Sequence, residues 1–167
     1  MSMSMAKNTR ACCLLLLRLL ALAATLTAAI VMATSHETTT FFNIKLEAKF
    51  QYTPAFVFFL IVNAVAGVYT LLVLFIPRFN NSVSSFIILM DLVVTMFLVS
   101  AISAAGAVSQ VGKKGNEHAG WLPICGQTPE FCDHVMGALI SAFVGVLIYF
   151  VLLLHTVYSN IFSPLLT

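Results

Sequence analysis

Four long apolar stretches, separated by polar segments, set the pattern of this chain. Each stretch contains about 20 or more residues, the number that an α-helix needs to cross the hydrocarbon core of a bilayer. The pattern therefore predicts an all-α fold, a four-transmembrane-helix bundle with two loops at one end and the short termini at the other. The predicted spans are residues 12–32, 54–76, 84–108 and 134–159.

The polar segments divide the chain into tails, a turn and loops. We expect tails at 1–11 and 160–167, a tight turn at 77–83, and two outer loops at 33–53 and 109–133. In the first loop, apolar and charged residues alternate from Ile44 to Glu47, which predicts a short β-strand.

Helix boundaries are suggested by prolines and capping residues. Thr53 followed by Pro54 is typical of a helix start, and Pro77 is expected to end the same helix. Side chains that can cap the third and fourth spans precede them: Asn81 or Ser82, and Asp133.

Composition agrees with an integral membrane protein. The chain has 167 residues, of which 60% are hydrophobic and only 8% charged, whereas about a quarter of the residues in a soluble domain are charged. A cleaved signal peptide is the alternative for the first span, but its apolar core would be shorter and would contain no arginine. No basic run indicates nucleic-acid binding. We therefore predict one bundle, residues 12–159.

Two charges lie inside the predicted spans, Arg18 in the first and Asp91 in the third. An ionised side chain at the centre of a bilayer costs about 2.5–3.5 kcal/mol on insertion scales, so it is usually paired or functional. Both residues lie roughly 10 Å from the same side, since these spans run in parallel. We predict an Arg18–Asp91 salt bridge, which His155 at similar depth could join. The alternative is that Arg18 reaches the headgroups and that backbone or water satisfies Asp91.

The lysine and arginine count does not settle the orientation, because basic residues lie on both sides of the predicted bundle. The cysteines are more informative. Cys125 and Cys132 lie close together in a polar loop, a pattern typical of cysteines that form a disulfide in an oxidising compartment. Cys12 and Cys13 begin the first span, a position typical of acylated cytosolic thiols. Together they predict cytosolic termini. A zinc site formed by the loop cysteines with His118 and His134 is the alternative, but its spacing matches no common zinc pattern.

The predicted disulfide ring has consequences for the second loop. We expect it to hold Trp121 and Phe131 near the outer membrane face, where they would form an interfacial anchor or a docking surface for an extracellular partner.

Small residues recur at helical spacing in two spans. The fourth span carries Gly137, Ser141 and Gly145 at four-residue steps. The third carries the pairs Ser100 with Ala104 and Ser103 with Ala107. Small faces allow close helix approach in lipid, and the sequence leaves open whether these faces pack within one bundle or between copies.

Several of these features resemble one plant family. An arginine in the first of four spans, an aspartate in the third, and a second outer loop with Gly120-Trp121, Ile124-Cys125 and Phe131-Cys132 resemble the Casparian strip membrane domain proteins. The first loop matches only part of the signature of strict members, which indicates the broader Casparian-strip-like subfamily, distantly similar to MARVEL-domain proteins.

The resemblance implies a plasma-membrane protein with cytosolic termini that forms homo- and hetero-oligomers with family members. It also implies platforms that organise local cell-wall modification, with an extracellular wall-modifying protein as partner. Arg18 and Asp91 match the family's paired intramembrane charges.

The sequence separates three classes of function: enzyme, scaffold and transporter. The sequence contains no cysteine–histidine dyad with an orienting acid, no phosphate-binding loop and no paired carboxylates in a span, so we predict neither an enzyme nor a cofactor. A self-associating membrane scaffold fits the pattern best. The alternative is a small ion or proton transporter that uses Arg18, Asp91 and His155.

Overall fold

The described part of the chain forms four long helices. The computed structural model describes residues 2–41, 44–76 and 81–162. All four helices are long and apolar enough to cross a bilayer, which confirms the predicted fold class. They are α1 (Ser2–Ala33), α2 (Pro54–Phe75), α3 (Asn81–Lys114) and α4 (Pro129–Phe162).

The helices pack as a four-cornered bundle. α1 and α3 each pack against α2 and α4, so α1 and α3 lie on one diagonal. Alanine is the commonest residue in the bundle core, and small side chains let helix backbones approach closely in lipid. Larger side chains such as Phe59, Leu98 and Leu152 fill the remaining core. The buried alanines include Ala21, Ala28, Ala66, Ala101, Ala105, Ala138 and Ala142.

Three of the helices are longer than the predicted spans. α1 already begins at Ser2, α3 continues to Lys114, and α4 begins at Pro129. The predicted capping role of Asp133 is therefore wrong, because this residue lies inside α4. Proline and an acid are both favoured in a first helical turn, and Pro129 and Glu130 occupy that turn.

The start of α2 agrees with its prediction. Pro54 is the first residue of α2 and Thr53 precedes it, although the Thr53 side chain makes no capping hydrogen bond. Instead, the Thr53 carbonyl accepts hydrogen bonds from the Phe56 and Val57 N–H groups at 2.9 and 3.2 Å. Pro77 and most of the predicted turn lie outside the described residues, as does the end of the C-terminal tail.

The first loop folds as a β-hairpin. Strand β1 (His36–Phe41) pairs antiparallel with β2 (Ile44–Lys49), with His36 opposite Lys49. The predicted strand is therefore present, but its partner was missed. The signal was the run of three threonines from Thr38, since β-branched residues favour strands.

The second loop folds back over the end of α3. Gly115, the residue directly after α3, has φ +70°. A Cβ atom at this position would lie 2.6 Å from the Trp121 carbonyl oxygen. Asn116 and Trp121 exchange backbone hydrogen bonds, while the Gly112 carbonyl of α3 accepts from Ile124 at 2.9 Å. These contacts close the loop over the end of α3. We call this end of the bundle the loop end, and the opposite one the terminal end.

Candidate functional site

Arg18 and Asp91 form a two-pronged ion pair inside the bundle. Arg18 Nη1 donates a hydrogen bond to Asp91 Oδ1 at 2.7 Å, and Nη2 donates to Oδ2. The side chains are 2% and 0% exposed. Arg18 lies six residues into one candidate span and Asp91 seven into another, so the two residues are at matching depth. Parallel hydrogen bonds of this kind are the strongest form of guanidinium–carboxylate contact.

A tyrosine completes the group. The Tyr69 hydroxyl of α2 donates to Asp91 Oδ1 at 2.7 Å and lies 3.2 Å from the Ile87 carbonyl oxygen. We call Arg18, Tyr69 and Asp91 the charge cluster, because together they join α1, α2 and α3. Tyr69 was missed by the sequence analysis. The sequence carries no signal for it, because the partner of a tyrosine in a span depends on how the helix is rotated.

The cluster balances its own charge. The Asp91 carboxylate accepts from two nitrogens and one hydroxyl, and the guanidinium offsets its negative charge. Only Arg18 Nε, within the cluster, is buried without a hydrogen-bond partner. A buried pair that is this well satisfied favours a fixed structural role over a group that exchanges protons or ions.

His155 does not join the cluster. Its Nδ1 is buried without a hydrogen-bond partner, and the cluster's hydrogen bonds run among Arg18, Tyr69 and Asp91. The continuous polar route that the transporter alternative needs is therefore not formed by these side chains in this structure.

A second polar contact ties α4 to α2. The fully buried Tyr149 hydroxyl donates a hydrogen bond to Thr70 Oγ1 and lies 3.1 Å from the Ala66 carbonyl oxygen. Thr70 donates to the same carbonyl at 2.8 Å. This contact was also missed from the sequence, and it connects the one helix that the charge cluster does not reach.

The predicted small-residue face of α4 packs mainly within the chain. Ser141 Oγ donates to the Ala24 carbonyl of α1 at 3.0 Å. A Cβ atom at Gly145 would lie 3.5 Å from Ala24 Cβ and 3.6 Å from Thr25 Cγ2. Gly137 differs, because nothing lies within 4 Å of its Cβ position. Of the two alternatives that the sequence left open, Ser141 and Gly145 therefore take packing within the bundle, whereas the Cβ position of Gly137 is free for a contact between copies.

The second loop contains the predicted disulfide. Cys125 and Cys132 are bonded, with their Cα atoms 5.7 Å apart, so neither sulfur is available as a thiolate for the alternative zinc site. Phe131 is only 5% exposed and meets Phe56 edge-to-face at 6.0 Å. Trp121 is 59% exposed. The predicted pair of surface aromatics is thus wrong for Phe131, because the first turn of α4 directs it into the core.

A carboxylate connects the hairpin to the disulfide loop. Glu37 Oε2, in β1, accepts a hydrogen bond from the Phe131 N–H at 2.9 Å. This N–H belongs to the first turn of α4, where it has no partner within the helix, and a negative charge is favoured there. We call the β-hairpin together with residues 115–132 the outer cap. Glu37 was missed by the sequence analysis, since its partner lies 94 positions away.

We expect Glu37→Gln to loosen the outer cap without unfolding the bundle. The amide keeps a weaker acceptor but loses the charge, which should cost about 1 kcal/mol at this junction. Hydrogen exchange of the Phe131 amide and of strand β1 should become roughly fivefold faster. The control is Glu117→Gln, which removes an exposed carboxylate from the same cap. Equal exchange rates in both variants would show that the Glu37 contact stabilises nothing.

The hairpin also carries an exposed ion pair. Lys49 Nζ lies 2.5 Å from Glu47 Oε1, and the Tyr52 hydroxyl donates to Glu47 Oε2 at 3.1 Å. The hydrogen bonds from Lys49 and then Tyr52 lower the pKa of Glu47, while its bond to Glu47 raises the pKa of Lys49. Both groups are therefore charged near neutral pH.

Cys12 and Cys13 lie at the opposite end of the molecule. Both are free and exposed, and Cys12 is the first residue of a candidate span. Their position fits the predicted acylation site, which stays a prediction.

Four apolar helices joined by buried polar contacts define this chain as a multi-pass integral membrane protein. The Casparian strip membrane protein domain matches residues 7–148, and the chain belongs to that family.

Several curated plant proteins are similar over most of their length. The chain is 56% identical to "CASP-like protein 1C2" of Vitis vinifera over 156 residues, which cover 93% of this chain and 96% of that protein. It is 53% identical to "CASP-like protein 1C1" of Arabidopsis thaliana over 130 residues, 78% of this chain and 79% of the relative. No solved structure matches the chain.

Proposed function

We propose that the protein is a non-enzymatic scaffold of the plasma membrane, which associates with itself and with related proteins into platforms that organise local cell-wall modification. The observation that carries this proposal is the charge cluster. It holds α1, α2 and α3 of one chain together and balances its own charge, which favours a rigid building block over a transport path.

The proposed orientation places both termini in the cytosol. The disulfide Cys125–Cys132 lies at the loop end, and disulfides persist on the oxidising side of a membrane. The free thiols of Cys12 and Cys13 lie on the other side. The exposed Trp121 and Leu122, 59% and 84% accessible, would then face the cell wall, where we place contact with a wall-modifying protein.

Association between copies would use the outward side of α3. Ser100, Ser103 and Ala107 are exposed, whereas Ala101 and Ala105, on the opposite side of the same helix, are fully buried. Since lipid tails are as apolar as leucine, close packing of small residues is a main source of helix association in membranes. The open Gly137 position on α4 is a second contact of the same kind.

We expect the double variant Ser103→Leu, Ala107→Leu to weaken self-association. Two large side chains would separate the α3 backbones, and the loss of about 1–2 kcal/mol of contact corresponds to roughly tenfold weaker association. Energy transfer between tagged copies at matched expression measures the effect. Val65→Leu, at a 58% exposed position on α2, serves as the control. Energy transfer equal to that of the control would contradict a role for this face.

A further inference from the structure

Two adjoining cavities lie beneath the outer cap. The inner cavity, of about 240 Å³, is an open groove bordered by the ends of α2, α3 and α4 and by the disulfide. Its walls are apolar and include Phe56, Val108, Gly112 and Val135. The outer cavity, of about 210 Å³, lies against strand β2 and shares Phe131 with the inner one. The two cavities also share Thr53 and Ile124, and the outer one adds polar side chains of strand β2 to a mainly apolar lining.

The position of the two cavities matches the edge of a bilayer. Phe56 lies 19 residues before Phe75, the last residue of α2, a distance of about 29 Å along the helix. The hydrocarbon core is about 30 Å thick. The inner cavity therefore lies where hydrocarbon ends, and the outer cavity lies at the depth of lipid headgroups.

The outer cavity presents both signs of charge. Glu47, Lys49 and Tyr52 line it, and the two ionised groups balance each other. Such a lining matches a headgroup that also carries one charge of each sign. An ammonium group is attracted to the carboxylate and to the face of the tyrosine ring. A phosphate forms a charge-assisted hydrogen bond with the lysine.

We propose that these cavities bind one zwitterionic phospholipid from the leaflet beside the outer cap. Part of one acyl chain occupies the inner cavity, the phosphate contacts Lys49, and the ammonium group contacts Glu47 and Tyr52. The inner volume is below the roughly 300 Å³ of small ligand pockets, so it takes a segment of one chain and the rest of the lipid stays in the bilayer. Binding fills apolar space in the bundle and gives the exposed ion pair a partner of matching charge.

The decisive variant is Gly112→Leu. A Cβ atom at Gly112 would lie 3.6 Å from Ile124 Cγ1, at ordinary contact distance, so the leucine side chain would occupy the inner cavity. Gly106→Leu is the matched control, because Gly106 lies on the same helix and nothing lies within 4 Å of its Cβ position. Displacing about two methylene groups of the acyl chain should reduce lipid affinity roughly tenfold.

The experiment uses the full-length protein in detergent and native mass spectrometry, with phosphatidylcholine and phosphatidylglycerol of identical chains. We expect preferential retention of phosphatidylcholine, about tenfold weaker in Gly112→Leu and unchanged in Gly106→Leu. Equal phosphatidylcholine binding by the two glycine variants would overturn the proposal.

Two exposed variants test the headgroup without touching the bundle core. Lys49→Gln should weaken phosphatidylcholine binding, and Glu47→Gln should shift the preference towards the anionic phosphatidylglycerol, because it leaves Lys49 without its counter-charge. A preference that neither variant changes would overturn the assignment of the headgroup. It would do so even if Gly112→Leu failed to fold.

Discussion

Asp91→Asn should cause most of the protein to be lost or retained before it reaches its membrane. Asparagine removes the charge that balances Arg18, which is 2% exposed and stays buried in the bundle. Breaking a buried ion pair in this way costs about 3–5 kcal/mol, a large part of the 5–15 kcal/mol that stabilises a typical protein. Protein abundance, trafficking of a tagged copy and the elution profile in detergent measure the outcome.

A double variant separates pairing from packing. Arg18→Leu alone should be about as harmful as Asp91→Asn, since it leaves the carboxylate unpaired. Arg18→Leu combined with Asp91→Leu should recover much of the loss, because replacing both members of a buried pair with apolar residues is often neutral. Unchanged abundance, trafficking and assembly in both single variants would refute the structural role of the charge cluster.

Loss of the disulfide should make the outer cap more mobile. Cys125 and Cys132 close a ring of eight residues, and opening a ring of this size costs roughly 2.5 kcal/mol in the chain-entropy model. In Cys132→Ser, hydrogen exchange across residues 115–132 should rise strongly, since the turn returning to Gly112 is no longer held. Cys12→Ser, which removes a free thiol at the other end, should leave the cap unchanged.

The bond can also be tested directly in the unmodified protein. Alkylation of intact cells before reduction, followed by mass spectrometry, should find Cys125 and Cys132 without the label. Labelled cysteines at these positions would reject the disulfide in the cell and remove the main support for an outward-facing loop.

The ion pair was predictable because hydrocarbon makes unpaired charges costly. Once composition identified a membrane protein, Arg18 needed a partner, and Asp91 at the same depth supplied it. Tyr69 could not be singled out in the same way. A tyrosine is tolerated in a span whether or not it contacts a charge, so its place in the cluster depends on how α2 is rotated, which packing decides.

The outer cap was less predictable than the bundle. Cysteine spacing indicated the bond between Cys125 and Cys132, but the direction of Phe131 depends on α4 starting at Pro129 instead of at residue 134, the predicted start of the fourth span. The contact between Glu37 and the same turn joins segments 94 positions apart. No local pattern carries that information.

The separation of Arg18 and Asp91 along the chain has a consequence for biosynthesis. Arg18 emerges from the ribosome 73 residues before Asp91, and at about 5–20 residues per second this interval lasts roughly 4–15 s. During that time the first span must be inserted with its arginine unpaired, at a depth from which a long side chain can still reach the membrane surface. Completion of the third span supplies the carboxylate that neutralises Arg18, so the contact that stabilises the finished bundle cannot form until three of the four spans have been made.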